Sequence, residues 1–464
     1  MKAFWVLGID RTVQNRVGAG DYGFYFSLFS FSVLFNILLD FGITNYNNRK
    51  IAVSPGLLNG MLGNLFVIRF GFAVIYMIIS LVAAWLLGYR GHQVSLLLVL
   101  LANQFLASFI LYLRSNITAL HMFRLDSLIS VTDRFIMIVV CSLLLWSGIT
   151  GTEFRIEWFV YSQTFAYLLT FLIALAVVMS KSGMVRFTFS GSQVRSILKE
   201  SAPYAMLSMF MAVYWRVDTV MIERMMNDGQ AMAGIYAQAF RLLDAASMIP
   251  YLFAVILLPM FSKGIAGGVQ TNQLARFAAT LLLIPATIVA VISVAYPVDI
   301  MKLLYHEHIG ESAAVFSILM AAYLPVAMVY IYSTILTAGG KLSLLNRITG
   351  AGMIMNILLN LVLIPRMGAR GSATASVVTQ VLMALLFYNY ASKLVNSERP
   401  LRFGLSVVFN AIMLIIASLL FRRAGLGLLT GGSLLLLTGT ATPLISGMLN
   451  LAEIKVWLSG MMNK

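Results

Sequence analysis

The sequence predicts an all-α, polytopic membrane protein, and three observations support this fold class. Hydrophobic residues make up 60% of the 464 residues and charged residues only 11%, whereas soluble domains carry about 25% charged residues. The apolar residues form blocks of about 20 residues, the length at which a helix crosses the hydrocarbon core. The connections between the blocks are short. Helices are the expected element because they satisfy their own backbone hydrogen bonds inside lipid.

The apolar blocks predict thirteen full spans, preceded by a short first-helix stub at residues 3–9. The expected spans are 23–43, 64–88, 94–113, 129–147, 158–180, 201–222, 234–260, 278–296, 314–336, 348–365, 371–391, 403–421 and 428–449. Pro203, Pro250, Pro285 and Pro325 lie inside spans, and proline removes a backbone hydrogen bond and bends a helix. Four bent helices are therefore expected, which suits a protein that moves between two states.

Basic residues alternate between the loops on the two sides of the membrane. One set of alternate loops, which includes 44–60, 181–200 and 450–464, holds 17 Lys and Arg with 4 acidic residues. The other set holds 10 basic and 9 acidic residues. By the positive-inside rule the first set is cytoplasmic, and so is the C-terminus. The net charge of +15 therefore indicates anchoring to the cytoplasmic leaflet rather than nucleic-acid binding.

Two parts of the chain share a pattern that predicts an internal repeat. Phe4-Trp5 precedes Gly23-Phe24-Tyr25 at nearly the spacing that separates Tyr214-Trp215 from Gly234-Ile235-Tyr236. Such repeats are common in transporters, whose substrates bind between them near the middle of the bilayer. The helix before Trp5 lacks the N-terminal residues of its counterpart, so we expect a truncated first span or a translation start upstream of Met1.

The repeat predicts the domain organisation. We expect an N-terminal helical bundle at 1–180, a cytoplasmic linker at 181–200, a C-terminal helical bundle at 201–396 and two additional transmembrane helices at 397–464.

The sequence carries no motif that would indicate an enzyme. It lacks the Asp-x-Asp of metal-dependent glycosyltransferases, a zinc-ligand spacing, Gly-x-Ser-x-Gly and a Walker loop. The single cysteine, Cys141, cannot form an intrachain disulfide. We therefore expect no catalytic residues, no cofactor and no metal site.

Four charged residues lie inside spans of the second half. Arg216 and Asp218 belong to the span 201–222, and Arg241 and Asp244 to the span 234–260. Charges inside a membrane normally pair with one another or face water. Because the two helices are antiparallel neighbours, Asp218–Arg241 and Arg216–Asp244 pairs are feasible. These charges either lock two helices together or line a cavity for an anionic substrate.

Charged residues of the first half collect at the predicted cytoplasmic ends of helices. They are Asp40, Arg49, Arg69, Arg114, Arg124 and Arg134. Most of the arginines are expected to reach lipid headgroups from helix ends. One or two of them are candidates for a cytoplasmic entrance that binds phosphate.

Three groups of segments resemble the polysaccharide and O-antigen flippases of the multidrug/oligosaccharidyl-lipid/polysaccharide exporter superfamily. They are AGDYG at 19–23 with DFG at 40–42, WRVD at 215–218 with AGIYA at 233–237 and LPMF at 258–261, and LIPRMGARGSA at 363–373. The resemblance covers residues 18–390. It implies two pseudo-symmetric six-helix bundles around a central cavity, with two extra C-terminal helices.

The resemblance also implies a function, partners and a location. The substrate would be an undecaprenyl-pyrophosphate-linked oligosaccharide, such as the O-antigen repeat unit of lipopolysaccharide, carried across the bacterial inner membrane by alternating access. Arginine is the residue expected to bind pyrophosphate, because its planar guanidinium group binds phosphate oxygens bidentately. The expected substrate-binding residues are Arg216, Arg241, Arg49 and Arg114, with Asp218 and Asp244 as intramembrane charge partners. Other expected partners are a coupling ion (proton or sodium) and polysaccharide polymerase or assembly proteins of the cell envelope.

Other functions remain open at this point. A multidrug or cation antiporter and a flippase of lipid-linked peptidoglycan precursors share the implied fold. Cation antiport requires acidic groups deep in the cavity. The central spans contain only Asp218 and Asp244, and both are near arginine. A membrane sugar polymerase or ligase is disfavoured because the external loops are short.

Overall fold

A computed structural model describes residues 4–44, 47–48, 51, 54, 58–148, 153–182, 191–267, 271–395 and 400–446. Within these ranges the ordered elements are helices, and no strand occurs. Twelve helical segments of this part of the chain are long and apolar enough to cross a membrane. Each overlaps one of the predicted spans from 64–88 onward, so these twelve predictions and the all-α membrane fold class are confirmed.

The helices follow one another in chain order with short connections. Those of the first half are α1 (Trp5–Asp10, a π-helix), α2 (Arg11–Leu34), α3 (Ile37–Asp40), α4 (Leu58–Leu86), α5 (His92–Ala119), α6 (Phe123–Trp146) and α7 (Ile156–Lys181). The next are α8 (Gly191–Met225), α9 (Gly229–Ala246), α10 (Met248–Ala266), α11 (Thr271–Ala295), α12 (Pro297–Leu304), α13 (Ile309–Ala321) and α14 (Tyr323–Ala338). The last are α15 (Leu342–Met367), α16 (Ala369–Leu394), α17 (Pro400–Arg423) and α18 (Leu428–Ile445).

The N-terminal segment differs from the sequence prediction. Residues 10–22 are helical rather than a loop, and the predicted span 23–43 consists of two helices, since α2 ends at Leu34 and α3 begins at Ile37. The chain also departs from helical geometry at Gly18, whose φ of 80° is favoured by glycine. Apolar composition does not distinguish one spanning helix from two helices separated by a turn.

The helix after the aromatic pair is interrupted at the same place in both repeats. The turn after α2 includes Asn36, and the turn between α9 and α10 is Ser247. Each lies thirteen residues after its repeat glycine, Gly23 or Gly234. The repeat seen in the sequence therefore extends to the backbone.

Two of the four prolines lie next to helix interruptions. Pro250 follows the turn at Ser247, and Pro325 follows Ala322, which separates α13 from α14. Pro203 and Pro285 lie inside helices that continue through them. The expected bends thus occur as interruptions near Pro250 and Pro325.

Pro250 cannot donate a hydrogen bond to the carbonyl of Ala246, which would be its helical acceptor. The Tyr323 hydroxyl donates to that carbonyl instead, at 3.0 Å. A side chain of α14 therefore satisfies the backbone group that the proline releases.

Contacts divide the chain into two compact units. One comprises Met1–Ala237 and Asn360–Gly368, and the other Gln238–Leu359 and Ala369–Lys464. The first unit buries the aromatic side chains of α2 almost completely, among them Tyr22 and Phe26. In the second unit α11 is the most deeply buried of the spanning helices. The domain boundaries expected from the sequence stay predictions.

Candidate substrate-binding site

Arg216 lies in α8 with its guanidinium against two aromatic rings of α2. The guanidinium carbon is 5.3 Å from the ring centre of Phe29 and 6.0 Å from that of Phe26. Aromatic faces attract cations, more strongly where water is excluded. An aromatic ring uses none of the N–H donors of a guanidinium, which lie in the plane of the group. The geometry therefore suits a planar ligand-binding fork within the membrane.

Asp218 lies two residues after Arg216 and is buried, with 3% of its surface exposed. One carboxylate oxygen accepts a hydrogen bond from the Tyr236 hydroxyl at 2.8 Å, and the other accepts one from the Asn360 amide at 2.7 Å. A carboxylate buried in a membrane protein is stable only when such donors replace water. Asp218 thus ties α8 to α9 and α15.

Asp10, which was not among the candidate residues expected from the sequence, forms a similar arrangement in the first repeat. It is the last residue of α1, is 1% exposed, and accepts hydrogen bonds from the Tyr22 hydroxyl at 2.9 Å to both oxygens. Asp10 lies in the stretch between the expected stub 3–9 and the expected span 23–43, where a loop was predicted. The signal that could have found it is the recurrence of an aspartate between the aromatic pair and the repeat glycine in both repeats.

The repeat glycines meet at a close crossing of α2 and α9. A Cβ atom on Gly23 would overlap the carbonyl oxygen of Gln230, and one on Gly234 would overlap the carbonyl oxygen of Ala19. The Gln14 amide donates a hydrogen bond to the carbonyl of Gly234 at 3.2 Å. Only glycine lets two helix backbones approach to this distance. The pattern that indicated the repeat therefore marks the place where its two copies touch.

Arg241 and Asp244 lie one turn apart on α9. Arg241 is buried with 8% of its surface exposed, and Asp244 is half-buried. Both belong to the unit that begins at Gln238, whereas Arg216 and Asp218 belong to the other unit. The Asp218–Arg241 and Arg216–Asp244 pairs stay predictions.

The expected entrance arginines of the first half differ from one another. Arg114 forms a bidentate ion pair with Asp126, with N–O distances of 2.8 and 3.3 Å. Both side chains are about a fifth to a quarter exposed, at 24% for Arg114 and 20% for Asp126. Arg49 lies outside the described residues. Arg114 is therefore accessible, but it already holds a carboxylate in the geometry that a phosphate would use.

Arg69 is fully buried and is held by protein groups on several sides. It donates to Asp40 at 2.5 Å, to the Thr44 hydroxyl at 2.9 Å, and to the hydroxyl and carbonyl of Ser108 at 2.6 and 2.9 Å. Its guanidinium also lies 5.0 Å from the ring centre of Tyr112. A buried arginine needs this degree of compensation for its lost hydration. Arg69 therefore joins α3, α4 and α5 and is a structural residue.

A further polar network joins the turn between α4 and α5 to the end of α8. The Arg224 guanidinium lies 3.6 Å above the ring centre of Tyr89 and pairs with Glu223 at 2.7 Å. The Tyr89 hydroxyl donates to Glu223 at 3.3 Å, and Arg224 donates to Gln93 at 3.3 Å. Burial raises the pKa of Tyr89, so its hydroxyl remains a donor at neutral pH. The network therefore links α5 and the turn before it to the C-terminal end of α8.

Among the described residues, no group of three or more His, Cys, Asp or Glu side chains is arranged to hold a metal ion. The site is therefore characterised by arginines, aromatic rings and hydrogen-bonded carboxylates.

The chain matches one family model and several solved structures. A family model described as "Polysaccharide biosynthesis protein" matches residues 12–265, which is more than half of the chain. No curated protein matches the sequence. Among solved structures, the lipid II flippase MurJ in an inward closed conformation superposes with a TM-score of 0.70 at 13% identity, over 96% of this chain and 97% of that one.

Multidrug transporters share the fold less completely. An inward-facing multidrug resistance MATE family transporter of the MOP superfamily matches with a TM-score of 0.62 at 14% identity, over 86% of this chain and 95% of that one. A mutant of the Vibrio cholerae MATE transporter VcmN matches with a TM-score of 0.57 at 13% identity, over 86% and 94% of the two chains. At these identities the likeness shows a common fold.

Proposed function

Because the chain belongs to the family of polysaccharide biosynthesis proteins, we propose that it moves an undecaprenyl-pyrophosphate-linked oligosaccharide, such as an O-antigen repeat unit, between the leaflets of the bacterial inner membrane. The observation that carries the proposal is the placement of Arg216 and Arg241 inside membrane-spanning helices of a chain from this family. The fold shared with a lipid II flippase supports it. Transport proceeds by alternating access and requires no covalent step.

The physical task explains why arginine is needed at this depth. A sugar-pyrophosphate head cannot cross hydrocarbon unaided, so a polar cavity must surround it while the lipid tail stays in the bilayer. Inserting a charged side chain at the centre of a span costs about 2.5–3.5 kcal/mol even on insertion scales. Such a residue is therefore expected to have a partner, which is either a protein group or a substrate. Arg216 and Arg241 are each candidates to bind a phosphate of the substrate, because the planar fork of a guanidinium binds phosphate oxygens bidentately. The rings of Phe26 and Phe29 contact Arg216 without using its N–H donors, so these contacts can persist when a phosphate binds.

At the cytoplasmic entrance, Arg114 and Arg49 receive the substrate first. Arg114 exchanges Asp126 for a phosphate, because both ligands bind the same edge of the guanidinium. The pair is partly exposed, so little desolvation opposes the exchange. The C-terminus is cytoplasmic in this arrangement.

Transport against a gradient requires an energy source and an acceptor for the product. We assign the energy to a coupling ion, either proton or sodium. Polysaccharide polymerase or assembly proteins of the cell envelope take the product at the outer leaflet.

Complementation tests the proposal. The chain is expressed in a bacterial strain that lacks its own O-antigen flippase and carries the native sugar pathway of this protein. Surface polymer and accumulated lipid-linked repeat units are both measured. Restored polymer with cleared intermediate supports flipping, and failure of a well-inserted protein to restore polymer or clear the intermediate refutes it.

Two variants address the role of the arginines within the same assay. Arg216→Ala and Arg241→Ala are expected to abolish export at normal membrane levels, whereas Arg155→Ala is the control because Arg155 is 68% exposed outside the spans. Retained export with lowered protein abundance would instead indicate that Arg216 and Arg241 form salt bridges with carboxylates that stabilise the fold.

Flipping of a lipid-linked peptidoglycan precursor is the second candidate, favoured by the match to the lipid II flippase over nearly the whole chain. Rescue of cells depleted of their own lipid II flippase would identify this function. Multidrug or cation antiport is the third candidate. The buried carboxylate of Asp10 adds to the acidic groups that antiport requires, and raised drug resistance in a pump-deficient strain tests it.

A further inference from the structure

A cavity of about 490 Å³ opens at the start of α6. The residues that line it in the described part of the chain are Phe123, Arg124, Ser127 and Leu128. An α-helix turns by about 100° per residue, so these four side chains fall within an arc of about 140° on one face of α6. Small-molecule sites have volumes of roughly 300–1,000 Å³. The cavity is therefore large enough to hold a ligand against this face.

Arg124 and Ser127 supply the polar side chains of the cavity. Both are exposed, and within the part of the chain that the structure describes neither side chain makes a hydrogen bond or an ion pair. A guanidinium carries five N–H donors and no acceptor, and a serine hydroxyl adds one more donor. This combination selects an anion with several acceptor oxygens, and phosphate is such an anion.

The acidic residue of the same turn, Asp126, does not oppose an anion in the cavity. By helical geometry it lies about 130° from the centre of the lining face. Its carboxylate forms the bidentate ion pair with Arg114, at 2.8 and 3.3 Å, so its charge is already balanced. The described lining of the cavity thus carries the positive charge of Arg124.

The apolar residues of the cavity place it at the membrane surface. Phe123 and Leu128 are 57% and 63% exposed on a helix that is long and apolar enough to cross the membrane. The 24 residues of α6 extend about 36 Å, which exceeds the roughly 30 Å of hydrocarbon, so the helix ends reach the headgroups. Leu128 lies about 7.5 Å further along the helix than Phe123. A ligand therefore meets charge near the surface and apolar side chains towards the acyl chains.

We infer that the cavity binds the headgroup of an anionic glycerophospholipid of the phosphatidylglycerol class. A free phosphate would leave most of the volume empty, whereas a glycerophosphate with the first acyl carbons extends from Arg124 to Leu128. The guanidinium balances the single negative charge of a phosphodiester, while a pyrophosphate carries more charge. Phosphatidylethanolamine adds an ammonium group, for which the described lining offers no carboxylate. The inference does not depend on the proposed function.

The expected topology agrees with this ligand. The charge bias of the loops assigns the start of α6 to the cytoplasmic side. Anionic lipids of the cytoplasmic leaflet attract basic side chains at the membrane surface. Arg124 would therefore meet the proposed headgroup in the leaflet where such lipids act on proteins.

Binding of short-chain lipids to the purified full-length chain in detergent tests the inference. The probes are dioctanoyl phosphatidylglycerol and dioctanoyl phosphatidylethanolamine, each titrated and followed by native mass spectrometry. The parent chain is expected to bind phosphatidylglycerol more tightly. Arg124→Gln is expected to weaken that binding about tenfold, the effect of one charge-assisted hydrogen bond. Ser127→Trp fills the cavity while keeping Arg124, and it is expected to weaken binding at least as much.

Arg402→Gln is the matched control. Arg402 is an exposed arginine in the first turn of α17, another membrane-spanning helix, and it does not line the cavity. Its substitution removes the same charge and is expected to leave the affinity for phosphatidylglycerol unchanged. Arg124, Ser127 and Arg402 are all exposed, so the melting temperatures of the three variants without lipid are expected to match that of the parent chain.

Three results would overturn the inference. The first is equal affinity of the parent chain for the two lipids, and the second is an equal loss in Arg124→Gln and Arg402→Gln. The third is full affinity in Ser127→Trp, which would locate the lipid outside the cavity.

Undecaprenyl pyrophosphate, added as a competitor, distinguishes a phospholipid site from a site for the lipid-linked substrate. Failure to displace phosphatidylglycerol from the parent chain supports the phospholipid site. Displacement that Arg124→Gln abolishes would assign the cavity to the substrate lipid and overturn the inference.

Discussion

Gly23→Ala tests whether the repeat glycines set the approach of α2 to α9. A Cβ atom at residue 23 would overlap the carbonyl of Gln230 and lie 2.5 Å from the nitrogen of Gly234. Both are backbone atoms, which cannot rotate aside as a side chain can, so the two helices must separate. Overpacking of this kind costs about 1–3 kcal/mol. Gly20 lies on the same helix with no atom within 4 Å of its added Cβ, so it is the matched control.

The two alanine substitutions are expected to act in opposite directions. Alanine in place of glycine inside a helix stabilises by about 0.5–1 kcal/mol where there is space, so Gly20→Ala should not lower the melting temperature. At roughly 2 °C per kcal/mol for a large chain, Gly23→Ala should lower it by about 2–6 °C. The assay is thermal unfolding of the purified protein in one detergent. A Gly23→Ala protein that melts at or above Gly20→Ala would refute the close helix crossing.

Three further substitutions probe the buried polar contacts, each by the same melting assay. Asp40→Asn leaves the buried guanidinium of Arg69 without its anionic partner and should destabilise the protein by about 3–5 kcal/mol; an unchanged melting temperature would contradict that role. Tyr323→Phe removes the donor to the carbonyl at the interruption between α9 and α10 and should cost about 1 kcal/mol, and no change would mean that water replaces it. Tyr89→Leu should destabilise more than Tyr89→Phe, because phenylalanine keeps a ring beneath Arg224; equal effects would exclude a contribution from the stacking.

The spanning helices could be predicted because their physical cause is local. A helix that crosses the membrane needs about 20 apolar residues, and that run is visible in the sequence. The loop expected at residues 10–22 was wrong, because this polar stretch is helical where it packs against neighbouring helices. The positive φ of Gly18 lies in a polar stretch that was expected to be a loop, whereas the stop at Leu34 lies in an apolar run like that of a continuous span.

The internal repeat was visible in the sequence, but the contact between its two copies could not be predicted from it. Gly-x-Tyr at 23–25 and 234–236 indicated two related segments. The contact of Gly23 with α9, and of Gly234 with α2, requires knowledge of which helices pack together. Asp10 was missed for the same reason, since its burial depends on the Tyr22 hydroxyl twelve residues away.

The arginines show how much of a binding site depends on partners rather than on residue type. Arg69 and Arg216 both lie inside predicted spans and were equally conspicuous in the sequence. A phosphate could reach Arg69 only by displacing Asp40 and Ser108 from a guanidinium with no exposed surface, and a buried charge pair that loses one partner costs about 3–5 kcal/mol.

The contacts of Arg216 with the rings of Phe26 and Phe29 use none of its N–H donors, so a phosphate need not displace these rings to bind. Arg114 is intermediate, since its edge holds Asp126 but the pair is partly exposed and worth about 1 kcal/mol or less. In the proposed function, a pyrophosphate therefore exchanges with the carboxylate on Arg114 and binds Arg216 while its aromatic contacts stay in place. Arg69 offers neither route, which assigns it to the framework that holds α3, α4 and α5 together.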